Sequence, residues 1–248
     1  MPDPFTPLHL RPTAPLADRV LLPGDPGRAL ALAQVVLGDD RAMFNHHRGL
    51  WGYTGTAADG APLTIQSTGM GGPSAAIVLE ELARLGVRRA VRVGTARAIR
   101  EDLAPGALVA ATEVRAEDGT SRTLLAAAAE LAALDAALDV PDVALHPGLT
   151  APLAGAAGVA GPLVAHDVLY APGDDVRVEA WRAAGLLAAD LETAALAAVA
   201  IRHGIAFGAI VAIAADAAGA RAGDEALAAA GEAAGRAAAA ALAAPHVS

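Results

Sequence analysis

From Gln66 to Ile99 the chain reads QSTGMGGPSAAIVLEELARLGVRRAVRVGTARAI: an apolar strand, a glycine turn, a helix, and a second apolar strand that enters another glycine turn. The glycines of Gly69-Met70-Gly71-Gly72 let the main chain approach a ligand closely. Pro73 suits the first turn of the helix that follows. Arg92 lies inside the second strand, Ala90 to Val93, just before Gly94-Thr95. A cation in a buried strand is costly unless it is paired, so Arg92 is expected to face a ligand or a carboxylate.

The same alternation extends along the chain. Residues 1 to 18 hold five prolines and read as an extended arm that either frays or docks on a neighbour. Arg19 to Leu22 is a short strand, followed by the turn Pro23-Gly24-Asp25-Pro26-Gly27-Arg28 and a helix from about Ala29 to Leu37. A glycine turn at a helix N-terminus is a ready anion site, although Arg28 alone also reads as a surface residue. Phe44 to Ala57 and Leu63 to Ser67 read as strands with a hairpin at Asp59-Gly60. Further strands are expected at Ala107 to Thr112, Leu163 to Val168 and Phe207 to Ala214. Helices are expected at Leu124 to Leu138, from Glu192 to about Arg202, and at Asp224 to Ala243. Strands alternating with helices imply an α/β fold, one domain over residues 1–248, with a largely parallel sheet covered on both faces. Ligands then bind beyond the carboxyl ends of strands, where Gly24, Gly94 and Asp216 lie. Asp190 and Glu192 enter a helix, so each also reads as a partner of the helix dipole.

Several classes of function are set aside by the residues present. The net charge of -9 leaves no basic stripe for nucleic acid. With no cysteine there is neither a disulfide framework nor a thiolate metal site. The proline-rich start lacks the apolar core of a signal peptide. The longest apolar tract, Ala194 to Ala215, is broken by Arg202-His203-Gly204, which favours helix, turn and strand over a membrane span. The chain is therefore read as soluble and cytoplasmic. His46 and His47 would point to opposite faces of a strand, so no metal site is expected. In the dinucleotide pattern G-x-G-x-x-G the last position is Ser74, and the Walker A pattern is missing altogether.

LLPGDPGRA, NHHRGLWGYTG, STGMGGPSAAIVLEEL, RVGTARAI and DLETAAL, in that order, resemble the hexameric nucleoside phosphorylases, which include bacterial purine nucleoside phosphorylase and uridine phosphorylase. The resemblance implies a three-layer α/β/α fold assembled as a trimer of dimers, with nucleoside and phosphate as substrates and no cofactor. By position, Gly24, Arg28, Arg92 and Thr95 match phosphate ligands, and Arg48 matches an arginine that reaches the neighbouring subunit's phosphate. Met70 and Glu192 match ribose contacts, and His9 resembles an arm histidine lent to the neighbour's ribose. Asp216 matches the acid that protonates a purine leaving group. Such an acid must hold a proton near neutral pH, which burial after an apolar strand would favour.

The departures from the family pattern cluster around base and ribose. Arg97 stands where glycine is usual. Asp190-Leu191-Glu192 replaces Glu-Met-Glu, and Leu169 takes the place of an aromatic that stacks on the base. Uridine enzymes of the family read uracil with a Gln-x-Arg pair, where this chain has Ala171-Pro172-Gly173-Asp174-Asp175. The expectation is a purine nucleoside phosphorylase of purine salvage. The alternatives are a uridine phosphorylase and a catalytically impaired nucleoside- or phosphate-binding member.

Overall fold

The computed structural model describes residues 5–126, 141–170 and 174–243. Among these, ten strands form one mixed sheet: β1 (Arg19–Pro23), β2 (Ala42–Asn45), β3 (Gly52–Thr56), β4 (Pro62–Gln66), β5 (Arg89–Ala98), β6 (Leu108–Glu117), β7 (Asp142–Ala144), β8 (Ala160–His166), β9 (Ala188–Asp190) and β10 (Ala206–Ala215). The helices are α1 (Pro26–Val36), α2 (Gly72–Leu85), α3 (Gly119–Leu125), α4 (Pro147–Ala157), α5 (Asp174–Ala183), α6 (Thr193–His203) and α7 (Asp224–Ala243).

Strand β5 is the hub, because it pairs with β1 and β10 in parallel and with β9 in antiparallel sense. Strand β10 also pairs with β6, β6 with β8, and β8 with β9. These five strands close on themselves, and β1, β4, β3 and β2 extend from β5 as an open edge. Alternation along β5 supplies both cores. Ala90, Ala96 and Ala98 pack with residues of α2 and α6, while Val91 and Val93 pack with residues of α1, α4 and α7. Helices thus cover both faces, giving the α/β/α layering that the resemblance implies. Alanines 194, 195, 197, 198 and 200 of α6 are all buried, and their small side chains admit α2 closely enough that a Cβ on Gly72 would lie 3.3 Å from Ala195 Cβ.

The structure moves several expected boundaries. Strand β5 runs straight through Gly94-Thr95, so the second glycine turn is not a turn. Its glycine makes room for a side chain: a Cβ on Gly94 would lie 2.7 Å from Arg92 Cζ. Strand β6 continues to Glu117 because its upper half pairs with β7 and β8. Strand β9 was not foreseen, since three residues are too few to show a period. Of the helix expected at Leu124 to Leu138, residues 127–138 lie outside the described residues, and α3 begins earlier, at Gly119. Residues 171–173 also lie outside them. His47 belongs to a 3-10 turn instead of a strand, with Nδ1 2.9 Å from the His9 carbonyl oxygen.

The described part of the arm docks on its own chain. Glu81 of α2, 5% exposed, accepts the amides of Leu8 at 2.9 Å, His9 at 2.9 Å and Leu10 at 2.7 Å. Three donors satisfy a carboxylate that burial would otherwise penalise. Asn45 accepts the amide of Arg11, and Thr64 accepts that of Ala17.

Candidate functional site

The site forms where the β1–α1 turn, the β4–α2 turn, the upper half of β5 and the β9–α6 junction converge. Gly69 donates its amide to the Gly24 carbonyl at 3.0 Å, and Thr68 donates to Pro23 at 2.9 Å, so the two glycine turns are stitched together. Gly71, at φ +84°, is the N-cap of α2 and has no side chain to cap it. Its amide is instead taken by Glu192 Oε1 at 2.6 Å. Glu192 is itself the N-cap residue of α6, so its carboxylate sits at the positive ends of two helices.

Arg92 is 2% exposed and lies between two carboxylates. Its Nε donates to Asp190 Oδ2 at 2.9 Å and its Nη2 to Glu192 Oε2 at 2.6 Å. Burial disfavours its charge, but Glu192 and Asp190 outweigh burial and hold the guanidinium above its ordinary value. The third nitrogen, Nη1, is buried without a hydrogen-bond partner among the described residues. An enclosed donor of this kind suits an oxyanion.

Arg28 emerges from the first turns of α1, where Asp25 caps the helix by accepting the Arg28 amide at 2.7 Å. Burial lowers the affinity of its side chain for a proton, the Asp25 charge opposes that, and the nearby charge of Arg92 adds to the lowering. Two guanidinium groups near enough to repel each other make a place for an anion. A cleft of about 280 Å³ between α1 and α7 adjoins Arg28, with Asp25, Asp224 and Gly231 in its wall.

The other expected residues are placed as follows. Thr95 lies on β5, half-buried, opposite Ala212 of β10. Met70 is exposed at the tip of the glycine turn. Asp216 lies just past the end of β10, half-buried and not enclosed, with Oδ1 accepting the Ala220 amide at 2.8 Å; it is held by its own turn. Arg97 pairs across the sheet with Ala189, and its Nε is buried without a partner among the described residues. Leu169 is 54% exposed, and Leu191 is half-buried. Arg48 is exposed in the 3-10 turn at φ +60°, and His9 is half-buried in the docked arm. Asp190, expected on the base side, is a correction: its side chain has no exposed surface and faces Arg92 and Thr193. Glu192 does more than serve a helix dipole, because one of its oxygens also bonds the Arg92 guanidinium.

Sequence reasoning missed Thr193, whose amide and hydroxyl both bond Asp190. The signal is the Asp-x-x-Thr spacing at a helix start, which resembles a cap shifted by two residues. It also missed Glu81, an acid among the buried positions Val78, Leu79, Leu82 and Ala83 of α2. His166 is a third: it lies on β8 two residues past Val164, the partner of Ala189, and packs on Trp181 with ring centroids 5.1 Å apart.

Among the described residues no His, Asp and Glu side chains gather in a group of three or more fit for a metal ion, and no helix is long and apolar enough to cross a membrane.

Comparison with known proteins bears on the same elements. Residues 18–244 match the family model described as the phosphorylase superfamily. The guanosine phosphorylase of Halorubrum lacusprofundi is 36% identical over 199 residues, covering 78% of this chain and 76% of that protein. The DeoD-type purine nucleoside phosphorylase of Geobacillus kaustophilus is 33% identical over 198 residues, covering 77% and 78%. In fold, the chain is similar to the crystal structure of uridine phosphorylase from Vibrio fischeri ES114, with TM-score 0.80, 22% identity and 92% of each chain covered.

Proposed function

Because the chain belongs to the phosphorylase superfamily, we propose that its buried arginine site serves a purine nucleoside phosphorylase. The reaction is pentosyl transfer: the bond from C1′ to the purine breaks, a bond from C1′ to a phosphate oxygen forms, and the departing base takes up a proton. The observation that carries this reading is Arg92, fixed at two nitrogens by carboxylates with the third enclosed and unpaired. Relatives named guanosine phosphorylase and purine nucleoside phosphorylase support purine as the base.

In this reading Arg92, Arg28, the Gly24 turn and Thr95 hold phosphate, which enters as co-substrate. No cofactor takes part. Arginine forks suit its oxygens, and a fixed anion below C1′ is the nucleophile. Glu192 takes the sugar hydroxyls, with Met70 against the ring, and its negative charge relieves the oxocarbenium character of the sugar. Asp216, at the end of β10, protonates the leaving purine. Arg97, Leu169 and Leu191 border the base.

Arg48 and His9 complete the site of a neighbouring copy. Support comes from exposed apolar side chains: Leu8 at 78% on the arm, Trp51 at 40% just past the 3-10 turn of Arg48, and Ile77 at 44% on α2. A second copy would cover them, and the assembly is read as a hexamer in the cytoplasm.

The test is a phosphorolysis panel of inosine, guanosine, adenosine and uridine, run with and without phosphate. Release of purine that requires phosphate supports the reading. Turnover of uridine alone points to a uridine phosphorylase, turnover without phosphate to a hydrolase, and phosphate binding with no turnover to a non-catalytic member.

A further inference from the structure

We propose that Asp190 and Thr193 form a positioning pair that aims Arg92 at phosphate. The proposal rests on the reading of Arg92 as a phosphate ligand. A guanidinium is a rigid planar fork, so holding two of its nitrogens fixes the direction of the third. Asp190 holds Nε and Glu192 holds Nη2, and Nη1 is the nitrogen left over.

The two carboxylates are not equivalent. The Glu192 side chain keeps 10% of its surface exposed, and both its oxygens are already bonded, to Gly71 and to Arg92. Each of its oxygens keeps a second lone pair, so a sugar diol can share that carboxylate and compete for it. The Asp190 side chain has no exposed surface and no ligand reaches it. Asp190 is therefore the anchor that serves Arg92 alone, while Glu192 is shared between Arg92 and the substrate.

Thr193 keeps that anchor from rotating. Its amide donates to Asp190 Oδ1 at 3.2 Å, and its hydroxyl donates to Oδ2, the same oxygen that Arg92 uses. Asp190 stands at the end of β9 and Thr193 in the first turn of α6, so the direction of the guanidinium is tied to the junction between them. Thr193 is fully buried and touches no substrate; it acts through Asp190.

The experiment varies phosphate and inosine separately in steady-state phosphorolysis and measures phosphate binding alone by calorimetry. Thr193→Val keeps the shape and every charge but removes the hydroxyl. Asp190→Asn places an amide donor against Arg92 or Thr193. Each substitution is expected to raise the phosphate KM about tenfold or more, with the inosine KM changed less than about threefold, because a misaimed guanidinium loses alignment with the anion. Asp190→Glu restores the negative charge one methylene further out and is expected to recover part of the loss. If Asp190→Asn fails to fold, Thr193→Val decides alone. A phosphate KM unchanged in folded Thr193→Val, or both KM values rising equally, overturns the proposal. Wild-type turnover that ignores phosphate would instead remove the phosphorylase reading on which it rests.

Discussion

Arg92 Nη2 stands 2.6 Å from Glu192 Oε2, and the other oxygen of that carboxylate takes the Gly71 amide, also at 2.6 Å. One side chain therefore joins the buried cation of β5 to the start of α2. Glu192→Gln keeps the shape but removes a charge from both ends of that link. Stability is expected to fall by about 1–3 kcal/mol, since charge-assisted bonds in an enclosed site become neutral ones. The nucleoside KM should rise more than the phosphate KM. Urea unfolding and paired KM measurements check both; a variant as stable as wild type would mean the link carries little.

Asp216→Asn is expected to slow purine cleavage by about 10²–10⁴-fold, the usual contribution of a positioned proton donor. Stability should change little, because an asparagine side chain can still accept the Ala220 amide. An unchanged rate would remove Asp216 from the mechanism.

Sequence patterning located most elements but only part of the site. Strand β1, the β3–β4 hairpin and α7 are where apolar runs and turn residues place them, because each depends on local chemistry: the Asp59-Gly60 turn, for example, needs only Gly60 at φ +78°. Arg92 could be marked as anomalous for its strand, and it is paired as that anomaly requires. Its partners could not be identified from spacing, because Asp190 and Glu192 lie about a hundred positions away and meet it only through the antiparallel pairing of β9 with β5. The closure of the five strands β5, β10, β6, β8 and β9 was illegible for the same reason. It depends on β9, a strand of three residues with no period of its own.

Arg97 offers donors and no acceptor. Beside a purine it would favour an exocyclic oxygen at position 6, which accepts, over an amino group, which donates. Arg97→Gly is therefore expected to raise kcat/KM for adenosine relative to inosine by about tenfold, the scale of one mismatched polar contact. The phosphate KM should stay as it was. An unaltered ratio would take Arg97 out of the base site.

Asp59 clamps the hairpin to β1 through Arg19, with Nη1 and Nη2 each 2.6 Å from a carboxylate oxygen. The Arg19 hydrogen bonds outweigh a small burial effect and hold the Asp59 carboxyl at about 2, below its ordinary 3.8. A group depressed on folding adds stability above its unfolded value and loses it as pH falls through the folded one. Asp59→Asn should therefore be less stable than wild type by a constant margin from pH 7 to about 5, and the margin should narrow between about pH 4 and 2. Urea midpoints across that range are the measurement; a margin that does not narrow would assign the effect to packing.

Arg48 is the one non-glycine residue with positive φ among the described residues, at +60°. That conformation costs an L-residue about 1–2 kcal/mol, and it is tolerated at an exposed position only if something else benefits. Arg48→Gly removes the strain but adds backbone entropy to the unfolded chain, so stability should stay within about 1 kcal/mol of wild type. Activity should nevertheless drop, through the phosphate KM, if the guanidinium serves a neighbour. Complementation separates that role from one within the same chain. Arg48→Gly retains Asp216, and Asp216→Asn retains Arg48, so a mixed assembly contains sites built from one intact contribution of each. Mixing the two impaired variants at a phosphate concentration below the raised KM, under conditions that allow subunit exchange, should raise phosphorolysis above either variant alone. If both residues act within one chain, every chain in the mixture lacks one of them, and activity stays at the level of the separate variants.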